Sequence, residues 1–284
     1  MTFHHVTVGV DGSLVAVRAL DRAADEAVRR HTELRVVYAV PDDDEAGPIL
    51  ASAAARVAVR HPALRVVTKA VQGSAVKVLT DESRRAALTV VGTRGFGGVT
   101  GALFGSVSLR LAAHVHGPLM VVREDHPCDT GVAPPGERPA VLLGLRGDAD
   151  AQAAVYAFEE AERRGVWLWA LHAPDHRYVT PELPWLVSAS SPGRQRLGQR
   201  DRAEAAVPRF SLSRLQERYP GVSVDARTVR SGPSHALLEA TREAAVVVIG
   251  AHRRTGHPGP HLGPVAHTLL HRSHCPVVLV PTGR

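Results

Sequence analysis

The segment Val90-Val91-Gly92-Thr93-Arg94-Gly95 continues through 96–104 into Gly105-Ser106-Val107-Ser108 and is the most informative part of the chain. A β-branched run ends in glycines, and a new apolar-periodic segment then opens, which predicts a strand, a loop and a helix N-terminus. Glycines let the backbone of such a loop approach a ligand closely. A helix that starts near Ser106 offers unpaired N–H groups and a positive dipole end, which favour an anion such as polyphosphate. Taken alone, the stretch also fits a flexible surface loop.

The segments around this stretch alternate between strand and helix patterns. The strands are nearly all apolar, which predicts a parallel sheet covered by helices on both faces. The predicted strands are 6–10, 34–40, 64–71, 87–91 and 118–122, and the predicted helices are 14–30, 49–60, 74–85 and 106–114.

The same pattern returns in the second part of the chain, which predicts an internal duplication. Gly92, Gly105 and Pro118 each precede Gly250, Gly263 and Pro276 by 158 positions, whereas the first-strand glycines Gly9 and Gly144 are 135 apart. The second half therefore carries about 23 extra residues, which we place in an insert at 174–220. The predicted domains are 1–127 and 139–284, joined by a Pro- and Gly-rich linker at 128–138.

Composition excludes several classes of function. The net charge of +6 suggests nucleic acid, but acidic residues are interleaved with the arginines and aromatic residues, at 4%, are too scarce for base stacking. No apolar run approaches the roughly 20 residues of a membrane helix. Two cysteines imply no disulfide framework. We therefore expect a cytoplasmic protein that binds neither nucleic acid nor membrane.

The glycine loop does not match two common phosphate loops. It lacks the lysine of a Walker-type loop, and it follows the fourth strand of the half instead of the first, where a dinucleotide fingerprint belongs. The spacing that fits is Gly92-x2-Gly95-x9-Gly105-Ser106. With the opening Val8-Gly9-Val10-Asp11-Gly12-Ser13 and the lead His116-Gly117-Pro118 into the fifth strand, the chain resembles a tandem member of the universal stress protein family.

This resemblance implies an α/β fold and a place for the ligand. Each half would be an open parallel five-stranded sheet with strand order 3-2-1-4-5, of the adenine nucleotide alpha-hydrolase-like type, with ATP at the carboxyl ends of the strands. That place agrees with the general rule that ligands of doubly wound sheets bind where the strand order reverses. Family members pair through the fifth strand, so 119–122 and 277–280 would pair within one chain as a pseudo-dimer, and a homodimer is left open.

The resemblance also implies which residues hold ATP. Asp11 would lie beside adenine and ribose and could hold Mg²⁺, although a turn or a helix cap is the other interpretation of this residue. Arg94 could contact phosphate, or it could be a solvated loop arginine. The implied ATP-binding residues are Gly9, Val10, Asp11, Ala39, Gly92, Arg94, Gly95, Gly105, Ser106, Val107 and Ser108.

The second half departs from the family pattern at these positions. Arg146 stands in place of Asp11, Arg253 replaces the second glycine of the loop, and Pro264 replaces Ser106. Proline has no backbone N–H, so a phosphate would lose a donor there. We expect one working ATP site, in the first half.

Three functions are open from the sequence. The resemblance implies a stress-response protein in which ATP acts as a conformational or assembly switch without efficient turnover, together with an unidentified protein partner. A slow ATPase or phosphotransferase that uses the same pocket is the second function, and a scaffold without nucleotide is the third. No residue stands out as catalytic, so whether the protein is an enzyme is left open.

Overall fold

A computed structural model describes residues 5–40, 46–93, 106–124, 140–174, 192–251 and 262–282. The first half alternates strands and helices, as the hydrophobic pattern predicts. Its strands are β1 (His5–Val10), β2 (Glu33–Val40), β3 (Val66–Gln72), β4 (Leu88–Gly92) and β5 (Leu119–Val122). Its helices are α1 (Leu14–Arg29), α2 (Ala46–Arg60), α3 (Ala75–Glu82) and α4 (Ser106–His114).

The second half repeats this order. Its strands are β6 (Ala140–Leu145), β7 (Leu168–His172), β8 (Val224–Thr228), β9 (Ala244–Ala251) and β10 (Val277–Pro281). Its helices are α5 (Ala151–Arg164), α6 (Pro192–Arg218), α7 (Pro233–Ala240) and α8 (Pro264–Arg272). The predicted linker at 128–138 lies outside the described residues, and the domain boundaries stay a prediction.

The ten strands of the described residues belong to one sheet, with the order β3-β2-β1-β4-β5-β10-β9-β6-β7-β8. Within each half the strands are parallel and follow the predicted order 3-2-1-4-5, which is confirmed. The halves join where β5 and β10 pair antiparallel, with Met120 opposite Val278. The expected intrachain pairing of the fifth strands is therefore present.

Helices cover both faces of the sheet and enclose two apolar layers. One layer lies under α1, α2, α5 and α6, and the other lies under α3, α4, α7 and α8. Small aliphatic residues build both layers, as expected from the scarcity of aromatic residues. Met120 and Val278 belong to the first layer and Leu119 and Val277 to the second, so both layers continue across the junction of the halves.

The main departure from the sequence prediction is α6. The sequence placed the extra residues of the second half at 174–220 but did not predict a helix there. In the structure α2 ends at Arg60 and α6 ends at Arg218, which are 158 positions apart, but α6 has 27 residues against 15 in α2. The repeat therefore matches α2 to the last part of α6, and residues 192–203 are a helical extension at its N-terminus.

Packing requires one of the motif glycines. A Cβ at Gly92 would lie 2.5 Å from Cγ1 of Val15 on α1 and 3.2 Å from the Val15 carbonyl oxygen. Without that Cβ, α1 can approach the carboxyl end of β4 closely. At Gly9 a Cβ would lie 2.8 Å from Cδ1 of Leu79 on α3, but this atom is the end of a flexible side chain, which can move aside.

A buried ring of four charges joins α1 to α5. Glu26 of α1 forms an ion pair with Arg30, the residue that follows the helix, and Glu160 and Arg164 form the equivalent pair in α5, with Nε of Arg164 2.6 Å from Glu160. Across the junction, Nη2 of Arg30 lies 2.7 Å from Oε2 of Glu160, and Arg164 contacts Glu26. The four side chains are 0 to 7% exposed. Tyr156 adds a hydroxyl 2.7 Å from Nη2 of Arg30.

We expect Gly92→Ala to lower the free energy of unfolding by about 1 to 3 kcal/mol, because the added methyl group overpacks the contact with Val15. Gly47→Ala is the matched control, since nothing lies within 4 Å of a Cβ at that position in α2. This glycine lies in the first turn of α2, directly before Pro48, so alanine there should change the free energy of unfolding by no more than about 0.5 kcal/mol. Urea denaturation measures both changes, and equal stability of the two variants would contradict the packing role of Gly92.

Glu160→Gln should destabilise the chain by about 3 to 5 kcal/mol at pH 7, because it leaves buried guanidinium groups without their partner. Burial alone would raise the pKa of the Glu160 carboxyl, but Arg164, Arg30 and Arg163 hold this pKa well below its ordinary value. The pairing therefore stabilises the fold above the ordinary pKa of 4.5, and this contribution is lost as the pH falls further. Accordingly, the difference between native chain and variant should shrink between pH 5 and pH 3.

The matched control for this variant is Glu159→Gln on the same helix. The Glu159 side chain is 39% exposed and pairs with Arg163 at 2.8 Å. An exposed pair of this kind contributes at most about 1 kcal/mol. Denaturant unfolding followed across the pH range separates the two variants, and a loss for Glu160→Gln that does not vary with pH would refute the role of its charge.

Candidate functional site

The candidate site lies at the carboxyl ends of β1 and β4, where the strand order of the first half reverses. The register pairs Val8 with Val90, so that Val10 and Gly92, each two residues further on, end at the same edge of the sheet. Thr93 continues β4 and donates its N–H to the carbonyl of Val122 on β5 at 2.9 Å. Crevices at such reversal points are the usual ligand sites of open α/β sheets.

Asp11 sits in the turn between β1 and α1, where glycine at position 12 has φ of +80°. Its Oδ1 accepts two hydrogen bonds from Ser13, one from the backbone N–H at 3.0 Å and one from the hydroxyl at 2.6 Å. The Ser13 oxygen in turn accepts from the N–H of Ala16 at 3.2 Å and caps α1. These bonds hold the Asp11 carboxylate in the turn at this edge of the sheet, and its role toward a ligand stays a prediction.

Helix α4 begins at Ser106, as the sequence predicts, and its first turn lies beside the end of β4. The Ser108 hydroxyl is buried and lies 3.5 Å from the carbonyl oxygen of Thr93, to which it donates. That hydroxyl therefore faces β4 in this structure, and it would have to turn to reach a phosphate. Val107 is partly exposed at the same end of the helix.

The other predicted ATP-binding residues divide into two groups. Gly9, Val10 and Gly92 lie on neighbouring strands at the rim, and Ala39 lies near the end of β2, half-buried against the apolar layer under α3 and α4. Arg94, Gly95 and Gly105 lie outside the described residues. The structure thus brings the described members together at one edge of the sheet, and their contact with ATP stays a prediction.

The corresponding turn of the second half carries different chemistry. Arg146 donates its backbone N–H to Oδ2 of Asp150 at 2.7 Å, and its Nε lies 3.6 Å from the same oxygen. Burial raises the pKa of the Asp150 carboxyl above its ordinary value, and the N–H and charge of Arg146 oppose that rise. Pro264 is the first residue of α8, so the backbone donor that Ser106 could supply in α4 is missing there.

Helix α6 is tied to the carboxyl ends of β6 and β7. His172 lies between the two elements, with Nδ1 2.8 Å from the carbonyl oxygen of Leu145 and Nε2 2.9 Å from the Glu204 carboxylate. The Asp148 carboxylate accepts a hydrogen bond from the Ser211 hydroxyl at 2.7 Å. By the repeat of 158 positions, Glu204 corresponds to Ala46 of α2. At the carboxyl ends of its strands, the second half therefore makes polar contacts with α6, whereas the first half has an alanine of α2 at the position of Glu204.

Sequence reasoning missed the His172–Glu204 contact and the buried charge ring. The ring has a signal in the sequence, since Glu26 and Arg30 are four residues apart and so are Glu160 and Arg164. The same spacing also occurs on many solvent-exposed helices. The His172–Glu204 contact depends on α6, which the sequence did not predict.

The described part of the chain offers neither a metal cluster nor a membrane-spanning helix. No group of three or more His, Cys, Asp or Glu side chains there could hold a metal ion. Among the same residues, no helix is both long enough and apolar enough to cross a membrane.

Comparison with known proteins identifies the family. The model of the universal stress protein family matches twice, at residues 2–123 and 138–281. A universal stress protein of Mycobacterium tuberculosis (strain CDC 1551) is 35% identical over 96% of this chain and 94% of its own length. Another, from Mycolicibacterium smegmatis, is 33% identical over 98% and 97%.

Solved structures agree at the level of the fold. A universal stress protein from Archaeoglobus fulgidus superposes with a TM-score of 0.63 at 14% identity, over 100% of both chains. Together with the two matches of the family model and the full-length relatives, these findings show that the chain is a tandem member of the universal stress protein family.

Proposed function

We propose that the first half binds ATP at the rim of β1 and β4 and that the bound nucleotide acts as a conformational or assembly switch in the stress response. The observation that carries this proposal is the place of α4. Its first turn begins at Ser106, and the contact between Ser108 and Thr93 holds that turn against the end of β4. The amides of this turn and the helix dipole are suited to phosphate.

The opposite side of the crevice supports the adenosine part of the ligand. Asp11 is held there by two hydrogen bonds from Ser13, and a carboxylate at this place suits ribose hydroxyls or a Mg²⁺ ion that bridges to phosphate. Ala39, half-buried near the end of β2, has a small apolar side chain that suits contact with a flat base. Gly9, Val10 and Gly92 supply backbone at the rim, and Arg94, Gly95, Gly105 and Val107 complete the proposed set.

We propose a single site per chain. In the second half, the turn carries the cation Arg146 with the buried Asp150 in place of Asp11. Pro264 removes a donor at the start of α8. A triphosphate would meet fewer donors there, and ribose would meet a guanidinium that offers no acceptor.

Slow or absent turnover is part of the proposal. Hydrolysis needs a group that positions and deprotonates a water molecule, and no residue of the sequence stands out for that role. The cytoplasmic location and the unidentified protein partner stay predictions.

The test is to incubate the purified chain with ATP, with and without Mg²⁺, and to measure retained ATP and released ADP after gel filtration. We expect one ATP per chain and little ADP. Asp11→Asn keeps an oxygen acceptor for Ser13 but removes the charge, and it should weaken binding about tenfold, which is about 1.4 kcal/mol. Arg146→Ala, at the matching position of the second half, should leave both measurements unchanged.

Other outcomes distinguish the alternatives. ADP that accumulates in the native chain and disappears in Asp11→Asn would identify a slow ATPase or phosphotransferase. If no nucleotide is retained at any ATP concentration, the result would support the third alternative, a scaffold that does not bind nucleotide. Two ATP molecules per chain would contradict the single site.

A further inference from the structure

The surface that joins the two halves is self-complementary. Met120 faces Val278 across the β5–β10 junction, and these residues are equivalents in the two halves, 158 positions apart. The ends of the two helices show the same correspondence. The backbone N–H of Thr32 donates to the carbonyl oxygen of Ala27 after α1, and the N–H of Val166 donates to the carbonyl oxygen of Ala161 after α5. Equivalent residues in this part of the two halves are therefore 134 positions apart.

The charge ring obeys the same symmetry. By the spacing of 134, Glu160 is the equivalent of Glu26 and Arg164 is the equivalent of Arg30. Arg30 contacts Glu160 at 2.7 Å, and reciprocally Arg164 contacts Glu26. An interface in which residue i meets j and j meets i is isologous, the kind that joins two identical subunits in a symmetric dimer.

The segment that connects the halves is much longer than the gap it bridges. In the sheet, β10 and β9 separate β5 from β6, so the gap is three strand spacings, or about 14 Å. Residues 125–139 number 15 and can reach roughly 50 Å when extended. The connection therefore does not force a second half to dock on the first half of its own chain.

We propose that this surface also accepts a second copy of the chain, and that two chains can exchange halves, the first half of each docking on the second half of the other. The exchanged dimer contains the same β5–β10 contacts and two complete charge rings, so the contacts themselves do not discriminate between the two forms. The connection does, because it gives the chain's own second half an effective concentration of the order of millimolar. The proposal is independent of nucleotide binding.

The ring provides a test with full-length chains. In a first variant, Glu26→Arg with Arg30→Glu, the pair beside α1 is kept but meets like charges on α5, and Arg29 gains a like charge next to it. In a second variant, Glu160→Arg with Arg164→Glu, the mismatch is reversed, and Arg163 takes the place of Arg29. Both local repulsions persist whichever halves dock, so they do not alter the comparison between matched and mismatched halves. The two variants are mixed, unfolded and refolded together. In an exchanged dimer, the reversed charges on α1 of the first variant meet the reversed charges on α5 of the second, so opposite charges pair. The two helices that keep their native charges meet in the other half of the dimer and pair as well.

We expect the refolded mixture to contain a 1:1 dimer with twice the 30.3 kDa mass of one chain, measured by light scattering after gel filtration. Each variant refolded alone should unfold at a lower urea concentration than the native chain. The control chain with all four substitutions restores both cross-junction pairs and should be a monomer. Absence of the dimer from the mixture, or native stability of the first variant, would overturn the proposal.

Discussion

The antiparallel contact between β5 and β10 is the interaction on which the rest of the structure depends. The four residues of β5, Leu119–Val122, are all buried, and Val277 to Val280 of β10 are buried as well. If the halves were apart, each sheet would end in a fully apolar edge strand, which is prone to pair with other chains. Pairing the two strands removes both edges and brings α1 and α5 together on one face, where the charge ring forms.

The charge ring shows that charged residues can be buried at such a junction only when each of them has partners of opposite charge. Burying a carboxylate or a guanidinium is costly, and mutual attraction repays the cost only when partners and hydrogen bonds are complete. Here Glu160 contacts Arg30, Arg163 and Arg164, and Arg30 also contacts Tyr156. A shifted or tilted arrangement of the halves would leave buried charges without partners. The ring therefore specifies the arrangement more than it adds to the net stability.

Local patterns predicted much of the fold, and long-range contacts explain what they missed. Apolar runs and their repeat at 158 positions predicted the strands, the duplication and the start of α4 at Ser106. They did not predict α6, because Pro208 interrupts its sequence and its first residues are polar and rich in arginine. They could not show that Glu26 and Arg30 are buried, because spacing identifies a shared helix face but not what covers it.

The glycines of the candidate site show why sequence alone could not separate ligand binding from packing. Gly92 matches a nucleotide motif, yet Val15 already requires the absence of a side chain there. Gly9 and its counterpart Gly144 both lie close to a leucine of the neighbouring helix, with a Cβ 2.8 Å from Leu79 and 2.9 Å from Leu237. A glycine that packing explains says nothing about which half would bind nucleotide. The proposed single site therefore rests on the positions that differ, which are Asp11 against Arg146 and Ser106 against Pro264.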